Sequence, residues 1–392
     1  MPDQNLTRML LLPQLKLLNT KSFNRFLLIE CETKLERPRC PHCAHSQVYV
    51  HQYKHRELKD SIVRGKVHIL KLKMKRYRCR SCNKTFNEEV PGVKRYQRLT
   101  ERMKREIYWA CENFADLKKV RKHTTVGSKT IYKRYYQRLE EKQRERQLTP
   151  WSKTIGIDEH GFTRNKKRGH RDFVTMIVDY NNSKPRELLP TRNSAELQAM
   201  LKHIPGRENV KNVAMDLSGT YRSFAKSYFP NAKIIADHFH VVRLLHPTIN
   251  KMRKQITGDN RKHPLRKLLL KNGQKVELFQ RKAIWRWLEN YPDLKEVYLA
   301  KEAMHRLYRC RGYKKAKRSL TNLLDWLAKS KLKELKRLRK TLMNWREEIL
   351  NFFKTRITNA KTEGFNNVAK SIIKRAYGFR NFGNYRLRVL NV

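Results

Sequence analysis

The chain has 392 residues, of which 39% are hydrophobic, and 90 Lys and Arg against 35 Asp and Glu give it a net charge of +55. This apolar fraction excludes a largely disordered protein, and the length predicts about two to four domains or one large domain with appendages. No apolar run approaches the roughly 18 residues of a membrane-spanning helix, so we expect a cytosolic protein. The charge predicts nucleic acid as the partner, because neutralising phosphates releases condensed counterions. A solvated basic surface or an anionic membrane is the alternative, but the charge extends along the whole chain.

Four of the seven cysteines form two C-x2-C pairs, Cys40 with Cys43 and Cys79 with Cys82, separated by 35 residues. Two intervening residues let a tight turn aim both sulfur atoms at one ion, which is typical of tetrahedral zinc sites. The preceding sequence KVHILKLKMKRYRC alternates well enough to form one strand of a hairpin. We therefore predict a Zn²⁺ site, with four unliganded structural cysteines as the alternative.

Residues 100–142 predict three helices, with Thr100 as the amino-terminal cap of the first and TVGSK as the turn before the last. This order is typical of a helix-turn-helix, in which the helix after a Gly-containing turn enters the major groove. A generic three-helix bundle fits the same periodicity. The predicted DNA-contacting residues are Ser128, Lys129, Lys133 and Arg134, and the predicted inward-facing residues are Ile131 and Tyr135.

After Pro150 the pattern changes to short apolar runs bounded by turns: TIGID, FVTMIVDY, VKNVAMD and KIIAD. Helical stretches at 193–204 and 218–229 separate the later runs. This order predicts an α/β fold, a mixed sheet with helical crossovers. Asp179 precedes the turn sequence NNSKP, so we interpret it as a turn residue.

Asp158 and Asp216 end runs that have the character of central strands. Neighbouring parallel strands would bring both side chains to the same edge of the sheet. A buried carboxylate is costly unless a cation or backbone N–H groups satisfy it. Two such carboxylates can bind divalent cations, which prefer oxygen ligands and act on phosphates.

The sequence TEGFNNVAKSIIKRA, residues 362–376, predicts an amphipathic helix that brings a third carboxylate, Glu363, to the sheet. The predicted sheet-facing side comprises Phe365, Val368, Ala369, Ile372, Ile373 and Ala376, and the opposite stripe comprises Glu363, Asn366, Asn367, Lys370 and Lys374. Lys370 and Lys374 are predicted to contact DNA phosphates. The alternative is a solvated polar face, in which Glu363 pairs with Asn367 or Lys370.

The segments IGIDEHGF, AMDLSGTY, IIADHFHVVRLL and NAKTEGFNN through LRVL, with the upstream cysteine pairs and NKTF, resemble the bacterial insertion-sequence transposases of the ISL3 family. The resemblance covers nearly the whole chain, in the family's order. It implies an RNase H-like catalytic domain with a DDE triad of Asp158, Asp216 and Glu363. It also implies an amino-terminal zinc-binding and helix-turn-helix region that reads the terminal inverted repeats.

The motif around Asp237 also resembles that of the family, but we assign it no metal and expect His238 and His240 to position the strand end. The predicted domains are an amino-terminal segment (1–36), a zinc-binding domain (37–95), a helix-turn-helix domain (96–148), a first catalytic part (149–239), a helical insertion (240–350) and the glutamate-bearing segment (351–392).

The insertion is predicted from spacing, because Glu363 follows Asp216 by 147 residues whereas Asp216 follows Asp158 by only 58. Its apolar residues recur at alternating intervals of three and four, as at Leu335, Leu338, Leu342, Trp345 and Ile349. Residues 311–340 hold 12 Lys and Arg against two acids, so we expect DNA contact. A solvated helix face is the alternative.

The chemistry implied is phosphoryl transfer with two Mg²⁺ ions, for which Mn²⁺ can substitute, held by the three carboxylates. Hydrolysis frees a 3′-hydroxyl at the element end, which then attacks target DNA. The expected partners are double-stranded DNA and at least one further copy of the chain, in the nucleoid of a bacterial cytoplasm. A catalytically inactive DNA-binding repressor and another RNase H-like nuclease are the alternatives, although the presence of all three carboxylates disfavours the repressor.

Overall fold

The computed structural model describes residues 15–34, 38–90, 96–114, 116–164, 171–258 and 263–392. The chain divides into two compact units, Met1–Glu141 and Lys142–Val392. The division falls inside a single helix, Ser128–Gln147. In its described part, each unit contains one five-stranded sheet.

The strands of the first unit are β1 (Leu15–Ser22), β2 (Phe26–Thr33), β3 (Val48–Val63), β4 (Lys66–Cys79) and β5 (Thr85–Asn87). They follow the order β1-β2-β4-β3, and β5 pairs with the end of β4. Only the β2–β4 pair among these is parallel. A two-residue turn joins β3 to β4, and its residues Arg64 and Gly65 both have positive φ, 51° and 77°, as tight hairpins require. The strand predicted over 66–79 is therefore confirmed, and β1 and β2 extend the same sheet.

Three helices follow, α1 (Glu101–Asn113), α2 (Leu117–Thr124) and α3 (Ser128–Gln147). Thr100 caps α1, because its hydroxyl oxygen accepts a hydrogen bond from the Met103 N–H at 3.2 Å. Ile131 and Tyr135 are buried, as predicted. A buried carboxylate on β3, Asp60, accepts hydrogen bonds from Thr100 and Arg102 and ties α1 to the sheet. The three predicted helices and their cap are confirmed.

The sheet of the second unit contains β6 (Thr154–Arg164), β7 (Arg171–Asp179), β8 (Lys184–Leu189), β9 (Asn212–Met215) and β10 (Lys233–Ala236). Its order is β10-β9-β6-β7-β8, with β6, β7 and β8 antiparallel and β6, β9 and β10 parallel. The helices α4 (Ser194–Leu201) and α5 (Gly219–Tyr228) form the crossovers. The predicted α/β mixed sheet is confirmed, with one difference: β6 continues past Asp158, which therefore lies within the strand.

Helices cover both faces of this sheet. Ile155, Ile157, Val213 and Met215 point to one face, where they pack with α4 and α5. On the other face lie α14 (Ala360–Arg375) and α15 (Phe382–Leu390), packed on a cluster that includes Val174, Met176, Val178 and Ala214. Side chains alternate along a strand, so Asp158 and Asp216 are on the face covered by α14.

A helical insertion separates β10 from α14. Its helices are α6 (His238–Arg243), α7 (His246–Thr257), α8 (Leu265–Leu268), α9 (Leu278–Glu289), α10 (Pro292–Arg309), α11 (Tyr313–Ala328), α12 (Lys333–Asn344) and α13 (Arg346–Thr355). The five apolar residues predicted from spacing, Leu335 to Ile349, are all buried in one large core. The predicted helical insertion is confirmed, and residue 350, the boundary expected from sequence, lies inside α13.

No helix in the described residues is both long enough and apolar enough to cross a membrane.

Candidate active site and zinc site

The four cysteines of the two C-x2-C pairs converge on one point. Their sulfur atoms all lie within 4.8 Å of one another, and the pairs Cys40–Cys82 and Cys43–Cys79 each have an Sγ–Sγ distance of 3.6 Å. A regular tetrahedron with Zn–S bonds of about 2.3 Å has sulfur atoms about 3.8 Å apart. The donor set and its spacing therefore fit one zinc ion.

Local backbone geometry explains how each pair is formed. The Ala44 N–H donates to the Cys40 carbonyl at 2.8 Å, and the Asn83 N–H donates to the Cys79 carbonyl at 3.1 Å. Ala44 and Asn83 both have left-handed φ, 58° and 59°. The two turns thus share one conformation and present two sulfur atoms each to the same position.

In the second unit, Asp158 is a buried carboxylate held at two points. Its Oδ1 accepts the Glu159 N–H at 2.8 Å, and its Oδ2 accepts a hydrogen bond from Asn366 Nδ2 at 2.8 Å. Burial raises the pKa of Asp158, and the charge of Glu363 adds to the shift. Each oxygen keeps a lone pair for a further partner, so Asp158 can still bind a cation.

Asp216 follows β9 directly and faces the same side of the sheet, since Ile157 pairs with Met215 in the parallel register. Its Oδ1 is shielded from solvent and accepts no hydrogen bond within the described parts of the chain. His240 Nδ1 lies 3.3 Å away. Burial, together with the charge of Asp158, raises the pKa of Asp216 to about 7. Such an unsatisfied carboxylate fits a cation ligand.

Asp237 follows β10 directly, and hydrogen bonds hold both of its oxygen atoms. Oδ1 accepts the Asn359 N–H at 3.1 Å, and Oδ2 accepts hydrogen bonds from the backbone of Phe239 and from the ring and backbone of His240. Burial raises the pKa of Asp237, but these donors outweigh it and the pKa lies below its ordinary value. Asp237 therefore caps α6 and anchors the chain just before α14.

Glu363 lies in the first turn of α14, and its N–H donates to the Asn359 carbonyl at 3.0 Å. The Asp237 hydrogen bond to Asn359 thus fixes the start of the helix that carries Glu363. A ligand atom of Glu363 lies within 4.8 Å of ligand atoms of both Asp237 and His240. Glu363 forms no ion pair with any described residue, so the alternative pairing with Lys370 does not occur in the structure.

Helix α14 approaches the sheet closely at Gly156. A Cβ at this position would overlap the Thr362 hydroxyl and the Tyr180 ring. Thr362 is itself fully buried, and its hydroxyl shares a hydrogen bond with the Tyr180 hydroxyl at 2.8 Å. A glycine on β6 two residues before Asp158 therefore permits the contact that brings Glu363 to the sheet edge.

The orientation of α14 differs from the prediction in one respect. Its buried residues are Thr362, Asn366 and Ala369, whereas Val368 is 38% exposed. Asn366, predicted for the outer stripe, is only 3% exposed and donates a hydrogen bond to Asp158. The opposing sheet surface carries polar groups, so a polar residue on the helix packs better there than the helical wheel suggested.

The predicted DNA-contacting residues are separated between the two units. On α3, Lys129 and Lys133 are exposed, Ser128 and Arg134 are half-buried, and Arg134 donates to Gln137 at 3.0 Å. On α14, Lys370 and Lys374 are exposed.

Asp179 accepts the N–H groups of Asn181 and Asn182 at 2.9 and 3.0 Å, which confirms it as a turn residue.

The sequence interpretation missed two buried residues that connect to Asp158 through Asn366. His160 lies two residues after Asp158 and therefore on the same face of β6; it is buried, and burial lowers its pKa to about 4. Tyr385 of α15 is fully buried and contacts the His160 ring. The alternation of side chains along a strand was the signal that would have placed His160 beside Asp158.

Family models and a known relative match this chain. A family model described as a transposase, of the DDE type and ISL3 family, matches residues 155–389. A second, described as the zinc-finger of transposases of the IS204, IS1001, IS1096 and IS1165 elements, matches residues 36–82. The chain is also similar to the transposase for insertion sequence element IS1001 of Bordetella parapertussis, with 24% identity over 363 residues, 89% of this chain and 87% of that protein.

These matches define the chain as a transposase. Because the transposase model covers more than half of its length, the chain belongs to the ISL3 family. Membership implies DNA binding and an activity that cuts and joins DNA, and the four cysteines form the zinc site of its zinc ribbon.

Proposed function

We propose that this transposase binds the terminal inverted repeats of an insertion sequence, cleaves DNA to free 3′-hydroxyl ends and joins them to target DNA. The proposal is supported by the register that places Asp158 of β6 beside Asp216 at the end of β9, on the sheet face covered by α14, the helix that carries Glu363. The charge of Glu363 also contributes to the raised pKa of Asp158. The strand order β8-β7-β6-β9-β10, antiparallel then parallel, supports an RNase H-like description of this unit.

The donor set favours divalent metal ions. Carboxylate oxygens are hard ligands that suit Mg²⁺ or Mn²⁺, and the buried Oδ1 of Asp216, which accepts no hydrogen bond within the described residues, is available to a cation. Asp158, Asp216 and Glu363 would hold the ions. When bound, two such ions activate the attacking oxygen and stabilise the leaving oxygen in phosphoryl transfer.

The protein groups around the triad keep it in place. Asp237 anchors the start of α14 through Asn359, and His240 donates to Asp237 while its ring lies beside Asp216. The hydrogen bond to Asp237, outweighing burial, raises the pKa of His240, and Asp216 adds to the shift. A protonated His240 would partly balance the carboxylates. Its two contacts are consistent with a supporting role, with metal binding left to Asp158, Asp216 and Glu363.

DNA recognition is assigned to the first unit. The three-residue turn between α2 and α3, with Thr125 at φ 54°, and the exposed Lys129 and Lys133 on α3 support a helix-turn-helix whose second helix enters the major groove. The exposed Lys370 and Lys374 on α14 would contact DNA phosphates near the carboxylates.

A strand-transfer assay tests this function. A duplex that carries the element's end with a free 3′-hydroxyl is mixed with supercoiled plasmid, protein and Mg²⁺, and covalently joined products are expected. Hydrolysis of the duplex without joining would indicate a nuclease instead. Specific binding with neither reaction would indicate a repressor.

A further inference from the structure

A buried chain of hydrogen bonds leads from α15 to the Asp158 carboxylate. Tyr385 Oη lies 2.5 Å from His160 Nε2, His160 Nδ1 lies 2.8 Å from Asn366 Oδ1, and Asn366 Nδ2 lies 2.8 Å from Asp158 Oδ2. His160, Asn366 and Tyr385 are 2%, 3% and 0% exposed. Three elements, β6, α14 and α15, thus supply one polar chain inside an otherwise apolar layer.

The direction of each hydrogen bond follows from the acceptors at one end. Asn366 Nδ2 faces the Asp158 carboxylate and also the Glu159 carbonyl at 3.4 Å, and neither oxygen can donate. The amide nitrogen must therefore point towards Asp158 and the amide oxygen towards His160. His160 Nδ1 then carries the proton, and its Nε2 accepts from the Tyr385 hydroxyl.

We propose that Asn366, oriented by His160 and Tyr385, is a positioning residue that fixes the Asp158 carboxylate for metal binding. The inference rests on the proposed function, because it gives Asp158 the role of a metal ligand. The Glu159 N–H holds one oxygen and Asn366 holds the other, so the side chain has a single orientation before any ion binds.

These hydrogen bonds also link Asp158 to the helix that carries Glu363. Asn366 is three residues after Glu363 on α14, so one helix supplies both a carboxylate and the amide that orients its partner. A shift of α14 would misplace both groups together. Residues that orient metal ligands typically change metal affinity by about 10–100-fold when they are replaced.

The test measures Mn²⁺ binding by electron paramagnetic resonance on the full chain with its DNA end, beside Mg²⁺-dependent cleavage. Asn366→Leu keeps the approximate size but removes the donor to Asp158. We expect its Mn²⁺ affinity to fall by about 10–100-fold, with cleavage partly restored at high metal concentration and DNA affinity unchanged. Asp158→Asn removes the carboxylate itself, so its Mn²⁺ affinity gives the value expected when this ligand is lost completely.

Two changes at His160 separate positioning from folding. His160→Asn places an amide N–H near the position of Nδ1, so it should donate to Asn366 and keep the Mn²⁺ affinity within about threefold of wild type. His160→Leu has no such donor, and its Mn²⁺ affinity should fall as far as that of Asn366→Leu. Tyr385→Phe removes only the outer hydrogen bond, which His160→Asn also lacks, so its metal affinity should likewise stay within about threefold of wild type. Equal defects in both His160 variants, or wild-type affinity in Asn366→Leu, would overturn the proposal.

The two readouts distinguish this proposal from the proposed function. A wild-type protein that binds Mn²⁺ but neither cuts nor joins DNA refutes the function, and the affinities of the variants still decide the positioning role. A wild-type protein that binds no Mn²⁺ beyond its zinc site refutes both.

Discussion

Asp158 and Asp216 are neighbours across two parallel strands. Ile157 of β6 pairs with Met215 of β9, and Asp158 and Asp216 are the next residues of the two strands' chain segments. Both side chains therefore lie on the face covered by α14. The separation of 58 residues along the sequence is spanned by two antiparallel strands and a crossover helix. The sheet register brings the two carboxylates together and leaves Glu363 to be supplied by a helix.

Replacing Gly156 should impair the site without touching a carboxylate. A Cβ in Gly156→Ala meets Thr362 and Tyr180, so α14 must move away from β6 and carry Glu363 with it. Such overpacking typically costs about 1–3 kcal/mol of stability, and we expect at least a tenfold loss of cleavage. Thermal unfolding and cleavage rates measure the two effects. Gly219→Ala, where a Cβ meets no atom within 4 Å, is the control and should retain both.

Removal of zinc should unfold part of the first unit. Cys43→Ser leaves three thiolates, so we expect the zinc content to fall from about one ion per chain towards zero and DNA binding to weaken, because zinc binding contributes folding free energy in such sites. Elemental analysis and thermal unfolding measure this. Cys310→Ser, at the end of α10 and outside the cluster, should keep the full zinc content. Full zinc binding by Cys43→Ser would contradict a four-cysteine site.

The stability of the Mg²⁺-free protein should depend on pH through Asp216. Burial and Asp158 raise its pKa to about 7 in the folded state, above the roughly 4 expected when unfolded. The folded protein therefore holds a proton that the unfolded chain has lost, and this group lowers stability as pH rises from about 4 through 7.

Melting temperatures from pH 5 to 8 check this sign. Asp216→Asn cannot ionise, so its advantage over wild type should grow as the pH rises, and added Mg²⁺ should reduce that advantage. Asp293→Asn, an exposed residue on α10, is the control and should run parallel to wild type. A constant difference between wild type and Asp216→Asn would show that Asp216 does not titrate in this range.

DNA binding by α3 should depend on its exposed lysines. If Lys129 and Lys133 contact phosphates, Lys129→Ala and Lys133→Ala should each weaken binding and reduce the salt slope of log K by about 1. Binding isotherms at several salt concentrations measure this. Lys202→Ala, an exposed lysine beyond α4, should leave the slope unchanged. Unchanged slopes in both α3 variants would favour a generic helical bundle.

Sequence patterns predicted the parts of the structure that depend on local periodicity. The cysteine spacing predicted the cluster of sulfur atoms, and the apolar runs predicted the sheet and the side on which Asp158 and Asp216 meet. The predicted end of β6 at Asp158 was wrong. The residues after Asp158, EHGFTR, are largely polar and do not show the pattern of a strand. They pair with β7 through backbone hydrogen bonds, which side-chain polarity does not reveal.

A helical wheel could not predict which side of α14 faces the sheet. The wheel places Val368 with the apolar residues and Asn366 with the charged ones, but the sheet beneath presents Asp158 and His160. A buried polar surface selects a polar partner, and that surface exists only once β6 and α14 are packed. The contact of Tyr385 with His160 could not be predicted either, because Tyr385 is distant in sequence and lies near His160 only when α15 packs on the sheet.

The central claim is that Glu363 acts with Asp158 and Asp216 in metal-dependent cleavage. The most direct measurement compares wild type and Glu363→Gln for Mg²⁺-dependent nicking of a duplex that carries the element's own end, at matched DNA occupancy. Glu289→Gln, an exposed glutamate at the end of α9, is the control. We predict that wild type and Glu289→Gln cut, whereas Glu363→Gln binds equally well and does not cut. Equal nicking by Glu363→Gln and wild type would contradict the account.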